Sequence, residues 1–167
     1  SSCHVYAQST KKLKEGSLKK PRDLYGKLKL KSENYIKKNY KDSCIIRLFN
    51  VYGKKQPSGI FLTDIINKLK KNEEIQINDS VRDFIHIDEI LKIFDFLIKN
   101  NINTTVNVGS GVGHKLKEVV KKLALKHNIS KPLIKINKSI KDTIVADMSL
   151  LNKLGYKSKK YEKYSNF

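Results

Sequence analysis

Short apolar runs alternate with amphipathic stretches along almost the whole of this 167-residue chain, and that alternation leaves few folds open. Cys44-Ile45-Ile46-Arg47-Leu48-Phe49 is nearly continuous in apolar character, as suits a parallel strand covered on both faces. Before it, Leu24 to Tyr40 reads as a helix, with Asp23 near its start and Leu24, Leu28, Tyr35 and Ile36 as its apolar positions. After it come an amphipathic helix from Ile60 to Lys71, an alternating strand Ile75-Gln76-Ile77, and a second extended piece, Phe84-Ile85-His86-Ile87. Glu89 to Lys99 gathers Ile90, Ile93, Phe94, Leu97 and Ile98 on one helical face. Thr105 to Val108 reads as a strand, Lys115 to His127 as a helix, Leu133 to Ile136 as a strand and Ser149 to Leu154 as a short helix. Residues 1–7 read as a strand end entering a loop, residues 8–21 as a polar connection and residues 53–59 as a loop. Strands and helices in this order define an α/β chain built on a parallel sheet.

Composition narrows the function. The length suits one domain with a true core, and no apolar run approaches the ~18 residues that span a membrane. A formal net charge of +19 would ordinarily point to nucleic acid, yet Arg22, Arg47 and Arg82 are the only arginines. Base readout and bidentate phosphate clamps favour arginine, whereas here lysines are scattered through every helix, so the charge argues against a nucleic-acid partner. Cys3 and Cys44 have no metal spacing and fit a reducing, cytoplasmic compartment. His86, His114 and His127 are too dispersed to make a metal site, and none is expected.

The candidate chemistry begins in Pro21-Arg22-Asp23-Leu24-Tyr25-Gly26-Lys27-Leu28-Lys29. On a helix, residues four apart share a face, about 5–6 Å apart at Cβ, so Tyr25 and Lys29 set a phenol beside an ammonium. A free phenol titrates near ~10 and is a poor base, but a fixed cation beside one favours the phenolate. Tyr25 is therefore the first candidate for an acid/base group.

Other blocks accompany this pair in order: Ser1-Ser2-Cys3-His4-Val5-Tyr6-Ala7 before it, then Arg47-Leu48-Phe49-Asn50-Val51-Tyr52-Gly53, then Val81-Arg82-Asp83-Phe84-Ile85-His86-Ile87-Asp88-Glu89. Val106-Asn107-Val108-Gly109-Ser110-Gly111 and Val145-Ala146-Asp147 before Leu154-Gly155-Tyr156 follow. Together they resemble the C-terminal part of an extended short-chain dehydrogenase/reductase, the group that contains UDP-galactose 4-epimerase, nucleotide-sugar 4,6-dehydratases and GDP-fucose synthase. The resemblance implies the C-terminal part of a Rossmann-like doubly wound parallel sheet plus a small α/β substrate-binding domain. Residues 1–57 would complete the NAD(P)-binding domain and residues 58–167 would bind a nucleotide sugar. It implies NAD or NADP as cofactor and a homodimer formed through the Tyr25 helix. The family's glycine-rich pyrophosphate turn does not occur in this sequence, so the chain reads as a fragment that on its own would neither hold a dinucleotide tightly nor be active.

By the same resemblance Ser2 matches the catalytic serine or threonine, Tyr25 the proton-transfer tyrosine and Lys29 the lysine that holds the nicotinamide ribose. His4 stands where 4,6-dehydratases carry a glutamate, and where GDP-fucose synthase carries a reactive cysteine. The missing acidic residue argues against 4,6-dehydration, and an imidazole there suits either acid/base work at C3 or C5 or a plain hydrogen bond to substrate or loop. Phe49 and Asn50 fall where the family's chain approaches nicotinamide and nucleotide sugar. Arg82 matches the arginine that clasps the substrate diphosphate, the alternative being a salt bridge to Asp83. A second diphosphate arginine has no counterpart near Lys138-Ser139-Ile140-Lys141-Asp142. Gly109-Ser110-Gly111 reads as a structural strand-to-helix turn rather than a phosphate loop. Three functions stay open: nucleotide-sugar epimerase or related enzyme working through a keto-sugar, nucleotide keto-sugar reductase, and noncatalytic binding module.

Overall fold

The computed structural model describes residues 1–54 and 56–157; the tail of the expected second segment, 158–167, lies outside them. A short 3-10 helix, Cys3–Val5, opens the chain. It is followed by α1 (Leu24–Asn39), β1 (Ile45–Leu48), β2 (Asn50–Tyr52), α2 (Phe61–Lys70) and β3 (Ile75–His86). Then come α3 (Ile87–Lys99), β4 (Thr105–Val108), β5 (Gly113–Lys115), α4 (Leu116–Lys126), β6 (Ile134–Ile144) and α5 (Ser149–Lys153). β1 pairs in parallel with β4, register Ile45 to Thr105 through Leu48 to Val108. β3 is the hub of the other sheet, parallel to β2 at its C-terminal end, antiparallel to β5, and parallel to β6 along Ile75–Arg82.

Three apolar clusters hold these layers. α2 and α4 press Leu62, Ile65, Leu69, Val119, Val120 and Leu123 onto Ile75, Ile77 and Phe84 of β3. α3 and α5 bury Ile90, Ile93, Leu97 and Leu151 against Ile85, Val106 and Val108. The third cluster joins Cys3, Val5 and Tyr6 to Leu13, Phe49 and Ala146, so the opening turn is packed into the molecule rather than left on its surface.

Several expectations are corrected here. Residues 3–5 form a 3-10 turn rather than a strand end, because Ser2 makes a single parallel bridge to Leu48 and its side chain then accepts the His4 N–H. The two expected extended pieces at 75–77 and 84–87 are one strand of 12 residues. Polar Asn78-Asp79-Ser80 reads as a break, but β6 pairs on both sides of it, with residues 138–140 bulging out where Asn78 meets Asn137 and Asp79 meets Lys141. β6 accordingly runs on to Ile144, and β5 is a short strand with no apolar signal. On α3, Ile98 faces solvent rather than the core.

α1 departs furthest. Leu24, Leu28 and Tyr35 are exposed, and its buried residues are Gly26 and Glu33. The fully buried contacts of this helix are a glycine and a carboxylate, with Leu30 packing partly buried on the third cluster and Ile36 half-buried, while Leu24, Leu28 and Tyr35 lie outside.

Candidate active site

The opening turn and the start of α1 are built against each other. Asp23 caps the helix, its Oδ1 accepting the Gly26 N–H at 2.6 Å. A Cβ at Gly26 would fall 2.3 Å from the His4 carbonyl oxygen, so the bare glycine allows the helix to sit on the turn. That contact carries Tyr25 to His4, ring centroids 5.4 Å apart and planes nearly perpendicular at 89°. One turn along, Lys29 Nζ lies 5.3 Å from the Tyr25 ring centroid, the expected shared face. The other Asp23 oxygen, Oδ2, lies 2.8 Å from His4 Nδ1.

Ser2 is buried, and its Oγ accepts the His4 N–H at 3.3 Å. Cys3 next to it points into the third cluster, and burial pushes its thiol up to about 12, which leaves it protonated and inert as a nucleophile at neutral pH. Phe49 is a core side chain whose N–H donates to the Val108 carbonyl, so its ring is not presented to a ligand. Asn50 donates through Nδ2 to the Asp83 carbonyl at 2.7 Å, which fixes its amide in the pocket that His4 also lines.

Arg82 does not pair with Asp83. Its Nη1 donates to Asp142 Oδ1 at 2.6 Å, and Arg22 Nη2 donates to the other oxygen of the same carboxylate at 2.7 Å. Burial alone would raise Asp142, but these hydrogen bonds outweigh it and hold the carboxyl down at about 2. Asp83 instead turns inward and is fully buried. It accepts Ser110 N–H and O–H, Gly111 N–H and Ala146 N–H at 2.6 to 3.1 Å. These amides of the glycine-rich turn are therefore taken up by a protein carboxylate, and the turn leads from β4 into β5 rather than directly into a helix.

Two recesses meet at these residues. A pocket of about 130 Å³ is lined by His4, Asp23, Arg22, Asn50 and Arg82, and a cleft of about 740 Å³ shares Asn50 and Arg82 with it. Phe61, Phe84 and a row of amides from β3 and β6, Gln76, Asn78 and Asn137, extend the cleft. The structure thus brings His4, Tyr25 and Lys29 together, and Asn50 and Arg82 line the same pocket as His4. Ser2 backs His4 from beneath.

Behind the site lies a polar network that the sequence did not announce. Arg47, buried like its neighbours, donates Nε and Nη2 to the two oxygens of Glu33 at 2.8 and 2.6 Å. Its Nη1 donates to the Tyr6 hydroxyl and the Glu15 carbonyl, both at 2.8 Å. Tyr6 passes its proton-side bond to Asn107 Oδ1, and Ser1 Oγ donates to Glu33. Opening turn, α1, β1 and β4 are tied through one guanidinium. A clue existed in the lone arginine within the apolar run of β1.

The α/β fold thus carries a tyrosine-lysine pair beside a turn-borne serine and histidine, and Arg22 and Arg82 both line the small pocket next to them. Residues 1–109 match the NAD dependent epimerase/dehydratase family, and the chain belongs to that family. Among curated relatives, CDP-abequose synthase of Salmonella muenchen is 36% identical over 95 residues, covering 53% of this chain and 32% of the relative. Among solved structures, UDP-N-acetylglucosamine 4-epimerase from Methanobrevibacter ruminantium M1, in complex with UDP-N-acetylmuramic acid, superposes with a TM-score of 0.81 at 24% identity, over 99% of this chain and 58% of that one. The Bordetella bronchiseptica enzyme WbmG, in complex with NAD and UDP, gives a TM-score of 0.79 at 23% identity over 95% and 53%. The fold is therefore that of Rossmann-like epimerases and dehydratases, and the chain spans roughly half the length of those solved structures and a third of the curated relative. Among the described residues no helix is long and apolar enough to cross a membrane.

Proposed function

We propose that the protein containing this chain is an NAD(P)-dependent nucleotide-sugar epimerase, or a closely related sugar-modifying enzyme, that works through a transient keto-sugar. One observation carries the reading. The pocket that His4 lines beside Tyr25 opens, through Asn50 and Arg82, into a cleft large enough for a nucleotide. Residues 1–57 supply the reacting groups in this reading and residues 58–157 most of the cleft. The likeness to WbmG in complex with NAD and UDP, and to a synthase named for a CDP-sugar, supports the same ligand classes.

The residues present fit the nicotinamide end of a dinucleotide. Tyr25 is half exposed, and Lys29 shares its face of α1, so phenol and ammonium remain open to a ribose. When bound, the nicotinamide supplies reversible hydride transfer. Tyr25 takes the proton from the sugar hydroxyl as it becomes a carbonyl, and returns it. Lys29 binds the ribose beside the phenol, and Ser2 and His4 form the polar floor beneath the reacting oxygen. Arg82, presented by Asp142, faces the diphosphate, and Asn50 orients the sugar. The protein acts as a homodimer, with the exposed Leu24, Leu28 and Tyr35 of α1 covered by the second subunit.

Absorbance at the reduced-nicotinamide band, followed with a panel of nucleotide sugars and the whole protein, tests this directly. Sugar turnover with no net change in reduced cofactor supports the epimerase. Stoichiometric consumption establishes the reductase instead, and no turnover of any nucleotide sugar leaves a binding module.

A further inference from the structure

His4 and Asp23 lie 19 residues apart, yet Nδ1 and Oδ2 meet at 2.8 Å. We propose that Asp23 is a positioning residue for His4: one carboxylate starts the helix that carries Tyr25 and also locks the imidazole with its proton on Nδ1. Nε2 is thereby left as the acceptor nitrogen of a side chain that lines the pocket. His4 then serves as a second proton carrier beside Tyr25, an assignment that rests on reading this pocket as the reacting site.

The neutral imidazole has one donor nitrogen and one acceptor, and an ionised carboxylate can only accept. Asp23 is ionised at neutral pH, its carboxyl held below the usual range first by the Gly26 N–H and then by His4. Nδ1 must therefore carry the hydrogen. Exposed ion pairs usually contribute little, because two mobile side chains must be ordered to make them. Here both are already held. Asp23 is pinned by its capping bond at 2.6 Å, and His4 by the 3-10 turn, by the bond from its N–H to Ser2 and by the perpendicular Tyr25 ring. The charged groups facing the imidazole are Asp23 itself and, around the same pocket, Arg22 and Arg82, with Lys29 beyond Tyr25. Both arginines are occupied by Asp142, so Asp23 is the group that decides the tautomer.

Nitrogen-15 NMR of histidine-labelled whole protein reads the tautomer from the two ring shifts, with His4→Gln identifying the signal among the chain's four histidines. The expected neutral form is Nδ1–H, the reverse of free histidine in water. Asp23→Asn is the informative variant. Asparagine caps a helix as well as aspartate does, and with its oxygen on the Gly26 N–H it turns an NH2 toward Nδ1, which must then accept. The tautomer ratio should shift by about tenfold toward Nε2–H, the value of a charge-assisted bond discounted for exposure. A wild-type imidazole already in the Nε2–H form, or a ratio unmoved by Asp23→Asn, overturns the proposal. Neither result depends on sugar turnover, so the dyad and the epimerase reading fail separately.

Discussion

Replacing Arg47 by methionine should destabilise the protein far more than any surface change. Four of the five guanidinium N–H groups are bonded, two of them to Glu33, and both side chains are almost completely buried, at 1% and 2% exposure. Removing one partner strands a carboxylate in the interior and costs about 3–5 kcal/mol. For a protein of this size or larger each kcal/mol moves Tm by roughly 2–4 °C, so a fall of about 10 °C is expected. Arg47→Met combined with Glu33→Leu should recover most of the loss, because a buried ion pair is replaced by apolar groups at little net cost. Burial alone would raise Glu33, but the bonds from Arg47 and Ser1 outweigh it and hold its carboxyl below the usual value. A depressed carboxyl stabilises above its unfolded value and loses that contribution as pH falls through the folded one. The gap between wild type and Glu33→Gln should accordingly be full above about pH 4.5 and close below it. Urea unfolding of the four members of the cycle, and of Glu33→Gln against wild type across this pH range, measures all of this. A single-variant loss under about 1 kcal/mol, or a double variant as unstable as the sum, would refute the reasoning.

Tyr25→Phe should lower turnover by several orders of magnitude while sparing nucleotide-sugar affinity, since it removes the proton carrier and little surface; steady-state kinetics checks it. Arg82→Lys should raise KM for the nucleotide sugar by about tenfold with a smaller change in kcat, because lysine cannot reproduce a guanidinium fork. Sedimentation at micromolar concentration should find a homodimer, and Leu28→Glu should shift it toward monomer by charging the exposed face of α1.

What could be read in the sequence was what local spacing controls. Ile90, Ile93 and Leu97 recur at helical period and do form the buried face of α3, and Tyr25 and Lys29 share a face because an i, i+4 pair must. α1 gave the wrong inward face because its fully buried residues are Gly26, which makes room, and Glu33, which is charged, with Leu30 beside them only partly buried. Neither Gly26 nor Glu33 carries an apolar signal, and the partner that makes Glu33 tolerable, Arg47, comes from another element. β3 was read in two pieces because a polar stretch looks like a turn until its pairing partner is known. Arg22 and Arg82 on Asp142, and His4 on Asp23, are tertiary meetings across 120, 60 and 19 residues, which no spacing rule reaches.

The most direct test of the central claim is to trap the keto-sugar. Whole protein with cofactor, incubated with a nucleotide sugar it turns over and quenched with tritiated borohydride, should yield tritium on a ring carbon of the sugar, and Tyr25→Phe should abolish the label. Turnover with an unlabelled ring, or labelling that persists at full level in Tyr25→Phe, would contradict the account.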